Sequence, residues 1–319
     1  MNPQRQTVFV SASFAEKEGL HAWLKKYGKS WDDRFIYWEE FAFTPYPLND
    51  ADAILVFNTP SETIRMLCGL RHTIAFMMEP GIPDMHPWMF RRLLQYGQVY
   101  SHLPQSTNTV LSHSYLGWYP EKTFSELNDM MVPEKKLLIS CIASLLKQLP
   151  GHRLRLGFVE MLKKEIPSID FFGKGSHYLD DKLDGLLPYR YSIAIENAAL
   201  PYYFTEKIND CFLGWCVPIY HGCSNIGKFF PARSFIRIDI RDPRKALHCV
   251  RDVMENDDWS SRLAAIGEAR QLVLEKYQPL AGAASILRQV PHEPRTEVLI
   301  EPVKRTFLEK WKGALHKMV

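Results

Sequence analysis

The chain has 319 residues, enough for about two domains. Hydrophobic residues at 46% and charged residues at 24% are globular values that exclude a mainly disordered chain, and 39 Lys+Arg against 36 Asp+Glu (net charge +3) is too balanced for nucleic acid to be the main partner. Aromatics reach 13% with 8 Trp and 14 Tyr, a composition suited to flat or sugar-like ligands as well as to large cores.

Short β-like runs alternate with helical stretches along the first half. Thr7-Val8-Phe9-Val10 reads as a strand that starts too soon after Met1 for a signal-peptide apolar region. A helix follows from about Phe14 to Tyr27. Ile54-Leu55-Val56-Phe57 is a strand, and Ser61 is a candidate cap for a helix through Cys68. Ile74-Ala75-Phe76-Met77 is a strand, Trp88 to Tyr96 a helix, and Val99-Tyr100 a strand. Such alternation predicts a parallel sheet with crossover helices, a domain over 1–130. The polar, breaker-containing stretch Glu126 to Lys136 reads as a linker.

A second series predicts another α/β domain over 137–290. Leu137-Leu138-Ile139-Ser140 is a strand. Arg153 to Lys164 is a helix with Leu154, Phe158, Met161 and Leu162 on its apolar face. Strands follow at Ile169-Asp170-Phe171-Phe172, before a Gly173-Lys174-Gly175-Ser176 turn, and at Ser192-Ile193-Ala194-Ile195. A helix from Thr205 carries Ile208, Cys211, Phe212 and Trp215 on one face. Val217-Pro218-Ile219-Tyr220 and Phe235-Ile236-Arg237-Ile238 are strands, and Pro218, which cannot donate to a ladder, belongs at a strand start or bulge. Helices over about Pro243 to Glu255 and Asp257 to Tyr277 close this half. Gln289 to Arg295 reads as a linker. The final 297–319 segment reads as a basic amphipathic helix, with Phe307, Leu308, Trp311, Leu315 and Met318 opposite Lys304, Arg305, Lys310, Lys312 and Lys317. Such a helix either docks on its own protein or lies on an anionic membrane.

Six cysteines form no C-x-x-C pair and match no zinc spacing. No apolar stretch approaches a membrane span. These features predict a reduced, cytoplasmic chain. There is no G-x-G-x-x-G after the first strand and no G-x-x-x-x-G-K-[ST], so neither a dinucleotide fingerprint nor a P-loop is present.

The densest stretch is Tyr191-Ser192-Ile193-Ala194-Ile195-Glu196-Asn197, then Tyr203-Phe204-Thr205-Glu206-Lys207-Ile208. Glu196 and Asn197 stand at the carboxyl end of a strand, where open α/β sheets place ligands. Thr205 is an N-cap in position and type. Lys207 in the first helical turn is disfavoured by the helix dipole unless an anion such as a diphosphate is bound there. Glu206 suits the two hydroxyls of a ribose. Taken alone, the same residues also fit a capped helix whose Glu and Lys face water.

The run Tyr191 to Ile240 resembles the C-terminal domain of glycosyltransferase family 10, the α-1,3/1,4-fucosyltransferases. The family motif is an apolar strand, Phe-Glu-Asn, a short loop and Tyr-Val-Thr-Glu-Lys; here Ile195-Glu196-Asn197 and Tyr203-Phe204-Thr205-Glu206-Lys207 stand in that order. Val217-Pro218-Ile219, His221-Gly222, and Pro231, Ser234, Phe235 and Ile236 continue the match. Phe204 replaces the usual Val. The luminal anchor of animal members and the long basic repeat tail of some bacterial members have no counterpart, which points to a bacterial-type soluble enzyme.

The resemblance implies a GT-B fold, two Rossmann-like domains with parallel sheets facing a central cleft. It implies transfer of L-fucose from GDP-fucose, with inversion and no obligatory metal, to a glycan or glycolipid acceptor such as a lipopolysaccharide precursor. It places Glu206 on the donor ribose, Lys207 on the diphosphate, and Glu196, Asn197, Tyr203 and Thr205 in the donor motif. Arg155 matches the family arginine on the diphosphate, with Arg153 as the competitor. Glu79, after a strand and before Pro80, matches the catalytic base; His86, Asp84 and His72 are the nearby alternatives. Two rivals stay open: a GT-B transferase using another nucleotide sugar, and a non-catalytic glycan- or nucleotide-binding protein on the same scaffold.

Overall fold

The computed structural model describes residues 5–82, 86–143, 150–173 and 177–303. In chain order these form β1 (Gln6–Ala12), α1 (Lys17–Lys25), β2 (Ser30–Trp31), β3 (Ile36–Trp38), β4 (Phe41–Thr44), β5 (Ala53–Phe57), β6 (Ile64–Cys68), β7 (Thr73–Phe76), β8 (Gln98–Ser101), β9 (Thr109–Leu111) and α2 (Phe124–Asn128). The chain continues through β10 (Leu137–Ile142), α3 (Pro150–Glu165), β11 (Asp170–Phe172), β12 (Tyr189–Ile195), α4 (Glu206–Leu213), β13 (Val217–His221) and β14 (Ile236–Arg237). It ends with α5 (Pro243–Glu255), α6 (Trp259–Leu272), a π-helical turn at Val273–Tyr277, α7 (Pro279–Leu287) and β15 (Thr296–Ile300).

Two compact units result. Unit 1 comprises residues 1–115, 123–125 and 278–319, and unit 2 comprises residues 116–122 and 126–277. The boundary expected at 290 therefore falls at Tyr277/Gln278. Three contacts explain why α7 belongs to unit 1. Gln278 Nε2 donates to the Tyr27 carbonyl at 3.3 Å, Gly282 packs on the Tyr115 ring, and Arg288 pairs with Glu39 and Glu40.

The sheet of unit 1 runs β2-β3-β4-β1-β5-β7-β8-β9. It is parallel from β4 to β9, as the alternation predicts, with an antiparallel β2-β3-β4 meander added at one edge. The helix expected through Cys68 is instead strand β6, paired antiparallel with β15. Its burial alternates, with Ile64, Met66 and Cys68 inward and Arg65 and Leu67 outward, which is the period of a strand. The apolar but exposed Leu67 hides that period in the sequence. The inward residues join Ile54, Val56, Trp88 and Ile300 in one core cluster. The helix expected at Trp88 to Tyr96 is two 3-10 turns, Pro87–Phe90 and Leu93–Gln95, interrupted by Arg92 at φ 58°. Of the expected 297–319 helix, 297–300 are strand and 304–319 lie outside the described residues, as do Asp84 and the 174–176 part of the predicted turn.

Unit 2 holds a five-stranded sheet, β11-β10-β12-β13-β14, parallel throughout. Pro218 is the second residue of β13. It pairs with Ser192 on one side, and β14 joins only from Ile219, so no ladder bond is lost on that edge. Phe158, Val159 and Leu162 of α3 pack into the core with Val217, Ile219 and Val250. Leu154, expected on that inner face, is 40% exposed, while Arg155 is only 4% exposed. The inward turn of Arg155 rather than Leu154 is the first sign of what α3 is for. Phe204, the departure from the family motif, fills an aromatic cluster with Phe229 and Phe230 at 4.9 and 5.3 Å.

The α7 contact yields a stability test. A Cβ on Gly282 would lie 2.3 Å from the Tyr115 ring, which stacks on Phe76 at 4.2 Å and cannot retreat. Gly282→Ala is expected to destabilise unit 1 by about 1–2 kcal/mol despite the gain in helix propensity, read as a lower urea midpoint.

Candidate functional site

The seven residues singled out in the second half all gather at the carboxyl end of β12 and the amino ends of α3 and α4. The chain leaves β12 at Ile195, and Glu196 follows with only 2% exposure. Both its carboxylate oxygens are taken by Thr205: the backbone N–H donates to Oε1 and the hydroxyl to Oε2, each at 2.8 Å. Thr205 in turn caps α4, accepting from the Lys207 N–H at 3.4 Å. Glu196 is thus a buried strut behind the helix cap, with its oxygens already committed, rather than an open ligand-binding group.

Lys207 Nζ lies 3.0 Å from Glu206 Oε1, 3.1 Å from Thr205 Oγ1 and 3.5 Å from Glu196 Oε2. Burial opposes the charge on Lys207, but Glu206 and then Glu196 outweigh it and hold the ammonium above its ordinary value. Burial likewise works against the Glu206 anion, yet Lys207 and then Lys182 dominate and bring the carboxyl down to about 2. Burial pushes Glu196 upward. Side chains 206 and 207 remain about one quarter exposed, so this ion pair is the accessible part of the cluster.

Arg155 reaches in from α3. Its Nη1 donates to Asn197 Oδ1 at 2.7 Å. Backbone contact reinforces the junction, because a Cβ on Gly151 would lie 1.9 Å from the Asn197 carbonyl oxygen. Gly151 therefore lets the start of α3 approach the end of β12. Arg153, the competing arginine, is exposed. Tyr203 is 2% exposed and acts from within the packing rather than as an open surface.

Three further residues complete the cluster. His152, one turn before Arg155, is 5% exposed; burial, then Arg155 and Lys207, push its imidazole down to about 4, so it is neutral at pH 7. Lys182 Nζ meets Asp210 Oδ2 at 2.6 Å, and Asp210 Oδ1 accepts from the Tyr119 N–H at 3.0 Å. Burial disfavours the Lys182 charge, but Asp210 and then Glu206 keep it protonated. Asp210 was legible only as the residue four after Glu206, on the same helix face. Lys182 follows Asp180 and Asp181 in a segment that reads as a solvated loop. Asp181 caps the 3-10 turn that carries Lys182, accepting from the Leu183 N–H at 2.9 Å.

Glu79 belongs to unit 1 and follows β7 at its carboxyl end. Met77 donates to the Tyr100 carbonyl and Met78 to Asn58 Oδ1, which fixes the backbone up to Glu79. The carboxylate is 47% exposed and has His86 Nε2 at 3.8 Å. His72 precedes β7, at the opposite end of the strand, and does not share this position.

Two cations at helix amino termini, a carboxylate beside them and a strand end behind them form a setting for a nucleoside diphosphate. Residues 121–262 match the model of the glycosyltransferase family 10 (fucosyltransferase) C-terminal domain. That stretch is similar to a family 10 C-terminal domain. The matched stretch contains Arg155, Glu196, Asn197, Tyr203, Thr205, Glu206 and Lys207, and Glu79 lies outside it. A fucosyltransferase-like protein of Arabidopsis thaliana is 29% identical over 136 residues, 41% of this chain and 26% of that protein. The α-(1,3)-fucosyltransferase FucT of Helicobacter pylori is 29% identical over 118 residues, 35% of this chain and 23% of that protein. These matches thus span about a quarter of each relative's length.

Among solved structures, an α1,3-fucosyltransferase with GDP aligns at TM-score 0.54 and 17% identity, covering 91% of this chain and 92% of that one. A UDP-forming trehalose-phosphate synthase from Burkholderia xenovorans aligns at TM-score 0.53 and 9% identity, covering 91% and 100%. At these identities the likeness is one of fold, and the fold is GT-B.

Two outcomes follow. Glu206 has a depressed carboxyl in the folded state, so its contribution is present above about 4.5 and is lost as pH falls towards about 2. Glu206→Gln is expected to flatten the acid limb of stability across that window in pH-dependent urea unfolding. Lys182→Met leaves the fully buried Asp210 without its cation and is expected to cost about 3–5 kcal/mol; Lys182→Met/Asp210→Leu should recover much of the loss in the same assay.

Proposed function

We propose that this chain transfers L-fucose from GDP-fucose to a hydroxyl of a glycan or glycolipid acceptor, with inversion at the anomeric carbon. The observation that carries this reading is the Arg155–Asn197 and Glu206–Lys207 pair of contacts at two adjacent helix starts inside the stretch that matches family 10. The α1,3-fucosyltransferase neighbours with GDP and with GDP-fucose support the choice of donor.

In this reading the diphosphate lies against Arg155, Lys207 and the free N–H groups of α3 and α4. Glu206 accepts from the ribose hydroxyls, and Lys207 exchanges part of its contact with Glu206 for phosphate oxygens. The acceptor hydroxyl attacks the anomeric carbon from the face opposite the nucleotide. Its proton passes to Glu79, the new C–O bond forms as the bond to the β-phosphate oxygen breaks, and GDP departs. Charge grows on the departing diphosphate, and the two fixed cations stabilise it without reorganisation. These cations supply the charge that a divalent metal would otherwise bring, so the transfer requires no metal. Neutral His152 adds a hydrogen-bonding group beside Arg155 at no cost in charge repulsion.

No helix among the described residues is long and apolar enough to cross a membrane. The site of action in this reading is the cytoplasmic side, on lipid-linked or surface-glycan precursors.

Calorimetric titration without divalent metal tests the donor. GDP and GDP-fucose are expected to bind, with GDP-mannose, UDP-GlcNAc and CMP-sialic acid much weaker, and Lys207→Ala to abolish binding. Exclusive binding of a uridine or cytidine nucleotide would overturn the fucose assignment. Glu79→Gln separates catalysis from binding: GDP-fucose affinity should persist while kcat falls by about 10²–10⁴-fold. Near-normal transfer by that variant would remove Glu79 from the mechanism.

A further inference from the structure

A second concentration of hydrogen-bonding groups lies in unit 2, outside the cluster described above. A cavity of about 450 Å³ opens beside the carboxyl ends of β13 and β14, and its wall includes His221, Arg237, Asp239, Arg241 and Lys245. Gly222, which lines this cavity, packs directly against the Glu196 strut: a Cβ on Gly222 would lie 2.4 Å from Glu196 Cγ. The preceding residue, His221, lines the same cavity.

The charges around this cavity are unbalanced. Arg241 spends its guanidinium on Asp239 through paired contacts, Nε to Oδ1 at 2.9 Å and Nη2 to Oδ2 at 2.6 Å. Arg237 donates only to the Ser224 carbonyl, at 3.0 Å, and meets no carboxylate among the described residues. Lys245 forms no ion pair among the described residues. It stands beside Arg244 in the first turn of α5, whose N-cap Asp242 accepts from the Lys245 N–H at 3.2 Å. Among the lining residues, three cations thus face one carboxylate, Asp239, which Arg241 already engages.

His221 supplies an independent sign. The residue is 7% exposed, and its Nδ1 lies 3.3 Å from the Ile238 carbonyl, 3.4 Å from the Ile240 N–H and 3.7 Å from Asp239 Oδ1. Nε2 has no hydrogen-bond partner among the described residues, and the cavity is the space the ring borders. The ring is otherwise buried, and it lines the cavity. An anion would be met by a proton on Nε2. With Arg237 and Lys245 it would complete a set of donors matched to tetrahedral oxyanions.

We propose that this cavity is a second anion site, holding a phosphate group separately from the nucleotide diphosphate. The phosphate is either inorganic or an ester carried by a sugar, and the proposal stands whether or not the donor is GDP-fucose.

The test is calorimetry on the full chain, titrating inorganic phosphate and, separately, a sugar phosphate monoester, each with and without saturating GDP. One equivalent of phosphate is expected to bind. Arg237→Ala and Lys245→Ala, both at exposed positions, should each weaken it on the order of tenfold. Lys207→Ala, which removes the donor cation, should leave phosphate binding unchanged. Tighter binding of the sugar phosphate, with the same dependence on Arg237 and Lys245, would identify the ester as occupant. Equal binding would identify the free anion. No phosphate binding, binding indifferent to Arg237 and Lys245, or binding displaced by GDP and lost in Lys207→Ala would overturn the proposal.

Discussion

The site is organised by the pair of hydrogen bonds from Thr205 to the buried carboxylate of Glu196. They join the last turn out of β12 to the first turn of α4, although nine residues separate the partners. A carboxylate with 2% exposure is stable there only because the N–H, the hydroxyl and the nearby Lys207 all address it. With that junction fixed, Glu206 and Lys207 have defined positions, and Asn197 is held where Arg155 can reach it. The residue of the motif that looks most chemical is thus the one that does structural work, and its neighbours stay available.

The electrostatics follow from this geometry. Lys207 occupies a helix start that repels cations, and two carboxylates hold it there. Arg155 on the adjoining helix adds a like charge, which counts against Lys207 and helps keep His152 neutral. An arrangement of repelling cations at two helix amino termini is costly by itself and becomes favourable when an anion arrives. Lys182 and Asp210 lie behind it, tying the segment before β12 to the body of α4.

Much of this was legible in the residues. The strands of unit 2 have short apolar runs with β-branched residues, and Thr205 caps α4 where its side chain predicts. Arg155 entered the candidate site only through resemblance, because a lone arginine on an amphipathic helix reads as surface. Its inward turn depends on the close approach permitted by Gly151, a tertiary fact. Strand β6 was misread because Leu67 is apolar yet exposed, and because its partner β15 is more than 200 residues away. Lys182 and Asp210 were missed for the same reason: each looks solvated until the other is placed beside it.

The ribbon of β6 and β15 has a consequence for how the chain comes together. Every residue of unit 2 precedes β15 in the chain, so its parallel sheet can form before β6 meets that partner. Until then Ile64, Met66 and Cys68 lie along an unpaired strand edge, the kind of surface on which chains associate wrongly. The order of synthesis therefore sets an interval in which the strands of unit 2 are complete and β6 still waits for its partner. The last few strand residues of the described chain close that interval.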